Sequence, residues 1–330
     1  MTRVLTINGG SSSVKFGIHD VADEVVEVSV GQSGSDEDLF TRIGDVQPDA
    51  IGHRIVHGGA DLFTPVLIDA SVLARLQRAT AFAPLHGPAS LALIAQAEAR
   101  FPGVPQVACF DTGFHADLPE IAATLPLPKP LRDQGVRRYG FHGLSCESII
   151  AQFGACLPER LIIAHLGSGA SVTAVRSGRS VDTSMGMTPA GGVTMATRTG
   201  DIDPGVLLYL MREHGMDANA LEDLIDRRSG LLGLSGVSSD LRMLRATESP
   251  AATLAIAIFC RSVAKQIAGM LAVLGGADLI VFTGGIGEHD EAARAFICAD
   301  LAFAGSVPTA VMPSQEGARI ARHVHEVTVR

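Results

Sequence analysis

The sequence carries no CxxC pair, no Walker A loop, no dinucleotide fingerprint and no GxSxG elbow. The five cysteines, Cys109, Cys146, Cys156, Cys260 and Cys298, are odd in number and widely spaced. That excludes a zinc knuckle and argues for free thiols in a cytoplasmic protein. The opening MTRVLTINGG has no long apolar run before its glycines, so no secretory leader is expected. Positive charge is short: 26 Lys+Arg against 35 Asp+Glu leave a net charge of -9, with a pI near 5.6. Nucleic acid and anionic membranes are thereby excluded as partners, and an anionic substrate needs a locally basic pocket. The most apolar long stretch, 251–274, is broken by Arg261, Lys265 and Gln266, and is read as a core helix, not a membrane span. The lysine of 10–15 has neither a preceding glycine nor a following Ser/Thr, so a P-loop is excluded. Residues 167–172 lack the third glycine of a Rossmann turn and lead into a strand pattern, so that fold is rejected as well. Without a GxSxG elbow, a nucleophilic Ser–His–Asp reading fails.

What is present points to two α/β domains. With 330 residues the chain exceeds the size at which one core keeps growing, and 47% hydrophobic residues suffice for two cores. Residues 3–20, RVLTINGGSSSVKFGIHD, organise the rest. Val4, Leu5 and Ile7 form one apolar strand, and Val14, Phe16 and Ile18 alternate along a second. The turn between them offers an amide, glycines, three serines and Lys15. Such a turn either cradles a polyphosphate or is a surface Ser/Gly hairpin. A third strand is expected at 25–30 and a Gly/Ser/Asp loop at 31–36. The unit of strand, Gly/Ser turn, strand, turn, strand returns at 161–166, 171–176 and 180–183, which predicts two related domains facing across a cleft. Helices are expected at 70–81, 89–99, 205–213, 218–227 and 318–323, with further strands at 104–110 and 279–283.

Several side chains stand where chemistry is done, each with a plainer reading beside it. Arg54 lies in a strand between His53 and Ile55 and before Gly58-Gly59. It is either an active-site arginine or a snorkelling edge residue. His86 sits in a Pro84–Pro88 loop, as a site residue or a solvent-facing turn. Asp111 ends an apolar strand, where ligands and metals are met, or it caps the next element. His142 lies between Gly140 and Gly143, with Ser145 as the expected cap of a helix running to about residue 153, at a site or a hinge. The loop 185–204 holds Arg198, Asp201 and Asp203. Residues 229–240 are either a nucleoside-facing wall or a packed turn. Gly284 to Gly287 lie between a strand and a helix expected from about Asp290, as an anion site or a plain turn. Glycine-rich strand ends, two separated arginines and acids at strand ends suit phosphoryl transfer, where arginines and Mg²⁺ stabilise charge with little covalent chemistry.

The motifs NGGSSSVKF (8–16), GHRIVHGG (52–59), PLHGPA (84–89), FDTGFH (110–115), RRYGFHG (137–143), HLGSGAS (165–171), TPAGGVTMATRTGDIDP (188–204), SGLLGLSGVSSDLR (229–242) and FTGGIGE (282–288) resemble, in this order, those of the acetokinase family. That family belongs with sugar kinases, heat-shock chaperone ATPases and actin. The resemblance implies two RNase H-like domains around a nucleotide cleft, taking residues 1–144 plus 313–330 and residues 145–312. It implies a cytoplasmic homodimer that moves the ATP γ-phosphoryl reversibly to acetate, in line, with Mg²⁺ or Mn²⁺. Carried over residue by residue, Arg54 and Arg198 would hold the carboxylate and the transferring phosphoryl. Asp111 would position Arg198 or the acetate and help in the magnesium shell. His142 would hydrogen-bond the phosphoryl, with His86 on the acyl side. Asn8 and Glu316 would serve the metal, with Ser11, Ser13 and Lys15 in support. His165, Leu166, Gly167, Ser168 and Gly169 would lie along the phosphates. Asp240, Leu241 and Arg242 would flank the adenosine, with Gly285, Ile286 and Gly287 beneath it. Val56, Leu85, Phe141 and Pro189 would line a methyl pocket fitted to a two- or three-carbon acid.

The chain also departs from the family pattern. The segments between Lys15 and Arg54 and between Glu288 and Glu316 are compressed. Ser168 stands where the family has asparagine, Cys146 replaces a histidine, His289 an asparagine and Gly87 an asparagine. The rival readings are a propionate or butyrate kinase of the same family, and a nucleotide-binding regulator without turnover.

Overall fold

The computed structural model describes residues 1–9, 14–22, 24–33, 43–44 and 46–329. The chain divides into two compact units. One comprises Met1–Ala116, Phe141–Gln152 and Gln315–Arg330, the other Asp117–Gly140 and Phe153–Ser314. Residues 117–140 thus group with the second unit and 145–152 with the first, a different division from a single switch near 144.

In the first unit, β1 (Thr2–Gly9), β2 (Val14–Val21) and β3 (Val25–Ser33) form an antiparallel meander. Parallel to β1 run β4 (Ala50–Ile55) and then β6 (Gln106–Phe110), with the short β5 (Val66–Leu67) antiparallel at the edge, giving the order β3-β2-β1-β4-β6-β5. Because side chains alternate along a strand, β1 feeds two cores. Leu5 and Ile7 pack with Phe16, Ile51, Ala97 and Phe101 on the side of the helix Gly87–Arg100. Val4 packs with Val107, Leu144, Ile320 and Val324, on the side of the helices Gly143–Phe153 and Glu316–Thr328. Gly52 in β4 permits that second contact. A Cβ there would stand 2.5 Å from Ile320 Cγ2 and 2.6 Å from Val324 Cγ2.

The second unit repeats the plan. The strands β7 (Arg160–Leu166), β8 (Ala170–Arg176) and β9 (Arg179–Thr183) form an antiparallel meander. Then β10 (Leu279–Thr283) runs parallel to β7 and β11 (Thr309–Val311) parallel to β10, in the order β11-β10-β7-β8-β9. The helix Pro250–Leu274 packs on β7 and β8. It is long and apolar enough to cross a membrane by length and composition, yet Ala255, Phe259, Val263, Ile267 and Leu274 are buried within the unit, as in a core helix.

Some expectations shift. Residues 31–33 extend β3, and the remainder of that expected loop lies outside the described residues. Ser145 does not cap its helix. The helix begins at Gly143, whose N–H donates to Asp111 O at 2.7 Å, and Ser145 is buried in the first turn. Gly284 to Gly287 are not a turn before a helix but the opening of the helix Gly284–His289. Glu288 Oε1 holds that opening, accepting from Gly284 N at 3.0 Å and Ser314 N at 3.1 Å. The following helix, Glu291–Asp300, is capped by Asp290. Residues 229–240 contain a short helix, Gly230–Ser235.

Candidate active site

In the first unit the parallel strands β1, β4 and β6 end on one edge of the sheet, the edge where open α/β sheets meet ligands. Register places Asn8 and Arg54 one residue beyond the paired Ile7 and His53. Asp111 comes directly after Phe110, the partner of Ile55. Arg54 donates from Nε (2.9 Å) and Nη2 (2.5 Å) to Asp111 Oδ2, and from Nη1 to Asn8 Oδ1 at 3.1 Å. Asn8 Nδ2 donates to Glu316 Oε2 at 2.7 Å. Four side chains from three strand ends and one helix start thus form a continuous chain, Asp111–Arg54–Asn8–Glu316. Asp111 does not cap the turn after it; its Oδ2 accepts from Arg54. Burial works against the Arg54 cation, but the charges of Asp111 and Glu316 hold its pKa above the ordinary value. Burial pushes the Asp111 carboxyl up, with Arg54 pulling the other way.

One oxygen of this chain is unspent. Asp111 is 1% exposed, and its Oδ1 has no hydrogen-bond partner among the described residues. A buried acceptor left so is costly unless a ligand completes it. With Glu316 and the Asn8 carboxamide it makes a hard-oxygen donor set, which fits Mg²⁺, a cation that takes one or two carboxylates and completes its shell with phosphate and water. No cluster of three or more His, Cys, Asp or Glu that could hold a metal ion is present among the described residues. Lys15 stands opposite Asn8 on β2 and is exposed. Ser11 and Ser13 lie outside the described residues.

His142 is buried and adopts φ 58°, a left-handed conformation unusual for a residue with a side chain. Its carbonyl accepts from Cys146 N, so the strained residue opens the helix Gly143–Phe153. The neighbouring Phe141 is fully buried. Its carbonyl is bonded to His115 Nε2 at 3.0 Å, and its ring meets His57 edge-on with centroids 5.6 Å apart. His57, the chain neighbour of Val56, thus packs against Phe141. A small cavity beside Val56 is walled by Leu76, Ala83 and Leu91. Leu85 and His86 are half-buried, with His86 directly before the helix Gly87–Arg100. His115, the last residue of the FDTGFH motif, is given no role by sequence reasoning. Burial drives its pKa down to about 4, so it is neutral while fixing the Phe141 carbonyl.

In the second unit the turn between β7 and β8 carries His165, Leu166, Gly167, Ser168 and Gly169. It lies beside the start of the helix Gly284–His289. A Cβ on Gly284, at φ 77°, would stand 2.8 Å from Leu166 O and 3.2 Å from His165 Nε2, so only glycine fits there. Ser168 is exposed, and its carbonyl accepts from Ala196 N at 3.2 Å, tying the turn to the long loop. Gly285 is exposed, Ile286 half-buried and Gly287 buried. Arg198 is 13% exposed; its Nη1 donates to Pro189 O at 3.3 Å, and its Nε stands 4.0 Å from Asp226 Oδ1. Asp226 is a second residue the sequence did not mark. Burial raises its pKa against the pull of Arg198. Gly230 allows the Arg198 loop to close, since a Cβ there would collide with Met195 O and Arg198 O. Asp240 caps the helix Leu241–Arg245 and pairs with Arg242 at 2.6 Å; Leu241 is buried beneath this exposed ion pair.

The chain resembles known proteins over most of its length. The acetokinase family matches residues 41–317. An acetate kinase of Rhodopseudomonas palustris is 40% identical over 345 residues, covering 92% of this chain and 87% of its own. The crystal structure of Porphyromonas gingivalis acetate kinase superposes with a TM-score of 0.85 at 33% identity, over 99% of this chain and 100% of that one. A propionate kinase from Francisella tularensis gives 0.90 at 33% identity, also over 99% and 100%. With the two related α/β sheets, the matched motifs and these relatives over nearly the whole length, the chain belongs to the acetokinase family.

Proposed function

We propose that this protein transfers the γ-phosphoryl group of ATP reversibly to acetate, giving ADP and acetyl phosphate, with Mg²⁺ or Mn²⁺, in the cytoplasm. The observation that carries the reading is the Asp111–Arg54–Asn8–Glu316 chain at the strand ends, with its unsatisfied carboxylate oxygen. A carboxylate oxygen of acetate forms the new bond to phosphorus as the bond from phosphorus to the β,γ-bridging oxygen breaks, and ADP leaves with that electron pair. The transferring group spreads negative charge over its equatorial oxygens, so fixed cations accelerate the step. Arg54, kept charged and pinned by Asp111, meets the carboxylate of the acid. Arg198, held in its loop by Pro189 O and Asp226, meets the phosphoryl oxygens. His142 donates to the same group, and His86 assists from the acyl side. Val56, Leu85, Phe141 and Pro189 enclose the methyl group. Lys15 and the residues 165–169 attend the phosphates, while residues 240–242 and 285–287 attend the nucleoside. When bound, Mg²⁺ supplies positive charge at the phosphate oxygens; Asn8, Glu316 and the unpartnered Asp111 oxygen would hold it.

The likeness to a propionate kinase, at a TM-score of 0.90, supports a second reading in which the acid is propionate. One methylene is worth only about 1–3 kcal/mol of discrimination, so both acids are candidates. A homodimer is also proposed. It is supported by the helix Pro204–His214, which has no buried residue and exposes Val206, Leu208, Tyr209 and Met211. The experiment is a hydroxylamine trap. Protein, Mg²⁺, ATP and hydroxylamine are incubated with acetate, propionate or butyrate, and acyl hydroxamate is read by colour. Product with acetate at the higher kcat/KM supports the main reading, and a higher value with propionate the second. A folded protein that binds ATP but yields no product with any acid is tested again with pyrophosphate: product then means another phosphoryl donor, and none means a nucleotide-binding regulator.

A further inference from the structure

Outside the site just described, the first unit buries a second ionic cluster. Glu147 lies on the second turn of the helix that opens at His142, and its carboxylate is mostly buried. Glu147 Oε2 accepts from Arg319 Nε at 2.7 Å and is bonded to His323 Nε2 at 2.6 Å. Both partners lie on the helix Glu316–Thr328. The next residue, Ser148, accepts at Oγ from Gln315 N at 3.1 Å, one residue before Glu316. Burial opposes the Glu147 charge, but the hydrogen bonds of His323 and Arg319 hold its pKa below the usual range. Two adjacent residues of one helix therefore grip the other from the residue before its start to its third turn.

The ends of those helices carry the chemistry. The first begins at His142 and Gly143, the latter bonded to the Asp111 carbonyl. The second begins at Glu316, which reaches Asn8. A carboxylate that binds both a guanidinium and an imidazole fixes rotation of one helix about the other, which apolar contacts among Leu144, Ile320 and Val324 constrain less. We propose that Glu147 is a positioning residue for the phosphoryl-transfer site: through Arg319 and His323 it sets where Glu316 stands relative to Asp111 and His142, and so tunes affinity for the divalent cation. This rests on the proposed function, in which Glu316 serves the metal.

The test compares the wild type with Glu147→Gln, Arg319→Gln and the double variant. Mn²⁺ binding in the presence of ADP is measured by electron paramagnetic resonance, and acyl hydroxamate formation is monitored against Mg²⁺ and acetate. Outer groups that orient metal ligands typically govern affinity by about 10- to 100-fold. Glu147→Gln is expected to weaken Mn²⁺ binding about tenfold and raise the Mg²⁺ requirement in step, with KM for acetate within about twofold of wild type. Arg319→Gln is expected to do the same, and the double variant to be little worse than either single one, because both remove one interaction. A folded Glu147→Gln with unchanged Mn²⁺ binding overturns the proposal, as does an equal loss toward metal and acetate. If neither single variant folds by circular dichroism, Glu147 serves the fold and the proposal falls. A wild type that makes no hydroxamate removes the functional reading itself, a separate outcome.

Discussion

Acidification from pH 7.5 to pH 5 is expected to unfold the first unit before the second. Three histidines of the first unit, His19, His53 and His115, are buried at 0%, 2% and 1% exposure. His19 Nε2 is bonded to Thr6 Oγ1, His53 Nε2 to Gln106 Oε1 and His115 Nε2 to the Phe141 carbonyl. Burial disfavours the cation at each and lowers its pKa from 6.5 to about 4. In the unfolded chain the same rings take up protons near pH 6.5. Below that pH the unfolded state binds more protons than the folded one, so stability falls as pH falls, from about 6.5 down to about 4. At pH 5 a shift of this size costs about 2 kcal/mol per ring, or about 6 kcal/mol for three independent sites. That is comparable to the whole stability of a typical domain. Asp111, raised by burial, moves the other way and offsets part of the loss. In the second unit Asp182 and Asp226 are likewise raised by burial, so acid relieves that unit.

The assay is urea unfolding at the two pH values with two probes. The sequence has no tryptophan and two tyrosines, Tyr139 and Tyr209, both in the second unit. Tyrosine fluorescence therefore reports that unit, while circular dichroism reports both. At pH 5 the dichroism midpoint should fall well below the tyrosine midpoint, and His53→Gln should recover about 2 kcal/mol of the pH-dependent loss. A dichroism midpoint unchanged between pH 7.5 and pH 5 would refute the reasoning, as would a tyrosine transition that comes first.

Four further outcomes are expected. Arg198→Ala should lower kcat by roughly 10²- to 10³-fold, the usual consequence of removing one transition-state cation or donor, with the melting temperature retained; an unchanged kcat in the hydroxamate assay removes Arg198 from the mechanism. Asp111→Asn should destabilise by about 3–5 kcal/mol in denaturant titration, because it leaves the Arg54 guanidinium buried without its counter-charge. Gly52→Ala should cost about 1–3 kcal/mol, read as a lower midpoint, because its methyl must displace Ile320 and Val324. Leu208→Asp on the exposed helix Pro204–His214 should halve the mass seen by sedimentation if that face joins two copies; the same mass as wild type places the contact elsewhere.

The two sheets are legible in the sequence because their signal is local. Val4, Leu5 and Ile7 against Val14, Phe16 and Ile18 show strand period and turn within twenty residues, and the apolar run at 279–283 coincides with β10. Candidate site residues at strand ends are legible for the same reason: an arginine or aspartate after an apolar run stands out. What stays hidden depends on partners distant in sequence. Nothing near Glu147 announces Arg319 and His323, which stand 172 and 176 residues away. Nothing near Arg198 announces Asp226. Serine suits a helix cap, which is why Ser145 invites that reading. The helix instead starts at Gly143, where a Cβ would collide with Asp111 O, so the close approach of two backbones decides the boundary. The passage of residues 117–140 into the second unit is likewise fixed by remote bonds, such as Arg138 Nη1 donating to Thr183 O at 2.7 Å.

The helix Glu316–Thr328 covers β1 and β4, and its first residue bonds to Asn8 across 308 positions of sequence. During synthesis, β1 through β6 therefore emerge long before the element that seals one face of their sheet. Until then Val4, Ala50 and Val107 present an open apolar surface. Closure of so long a loop is entropically slow, and half-made chains with such surfaces are prey for aggregation or for chaperones that bind apolar segments. The same arrangement means that a ribosomal product stopped before residue 316 holds Arg54 and Asp111 without the Glu316 carboxylate that extends their hydrogen-bonded chain through Asn8.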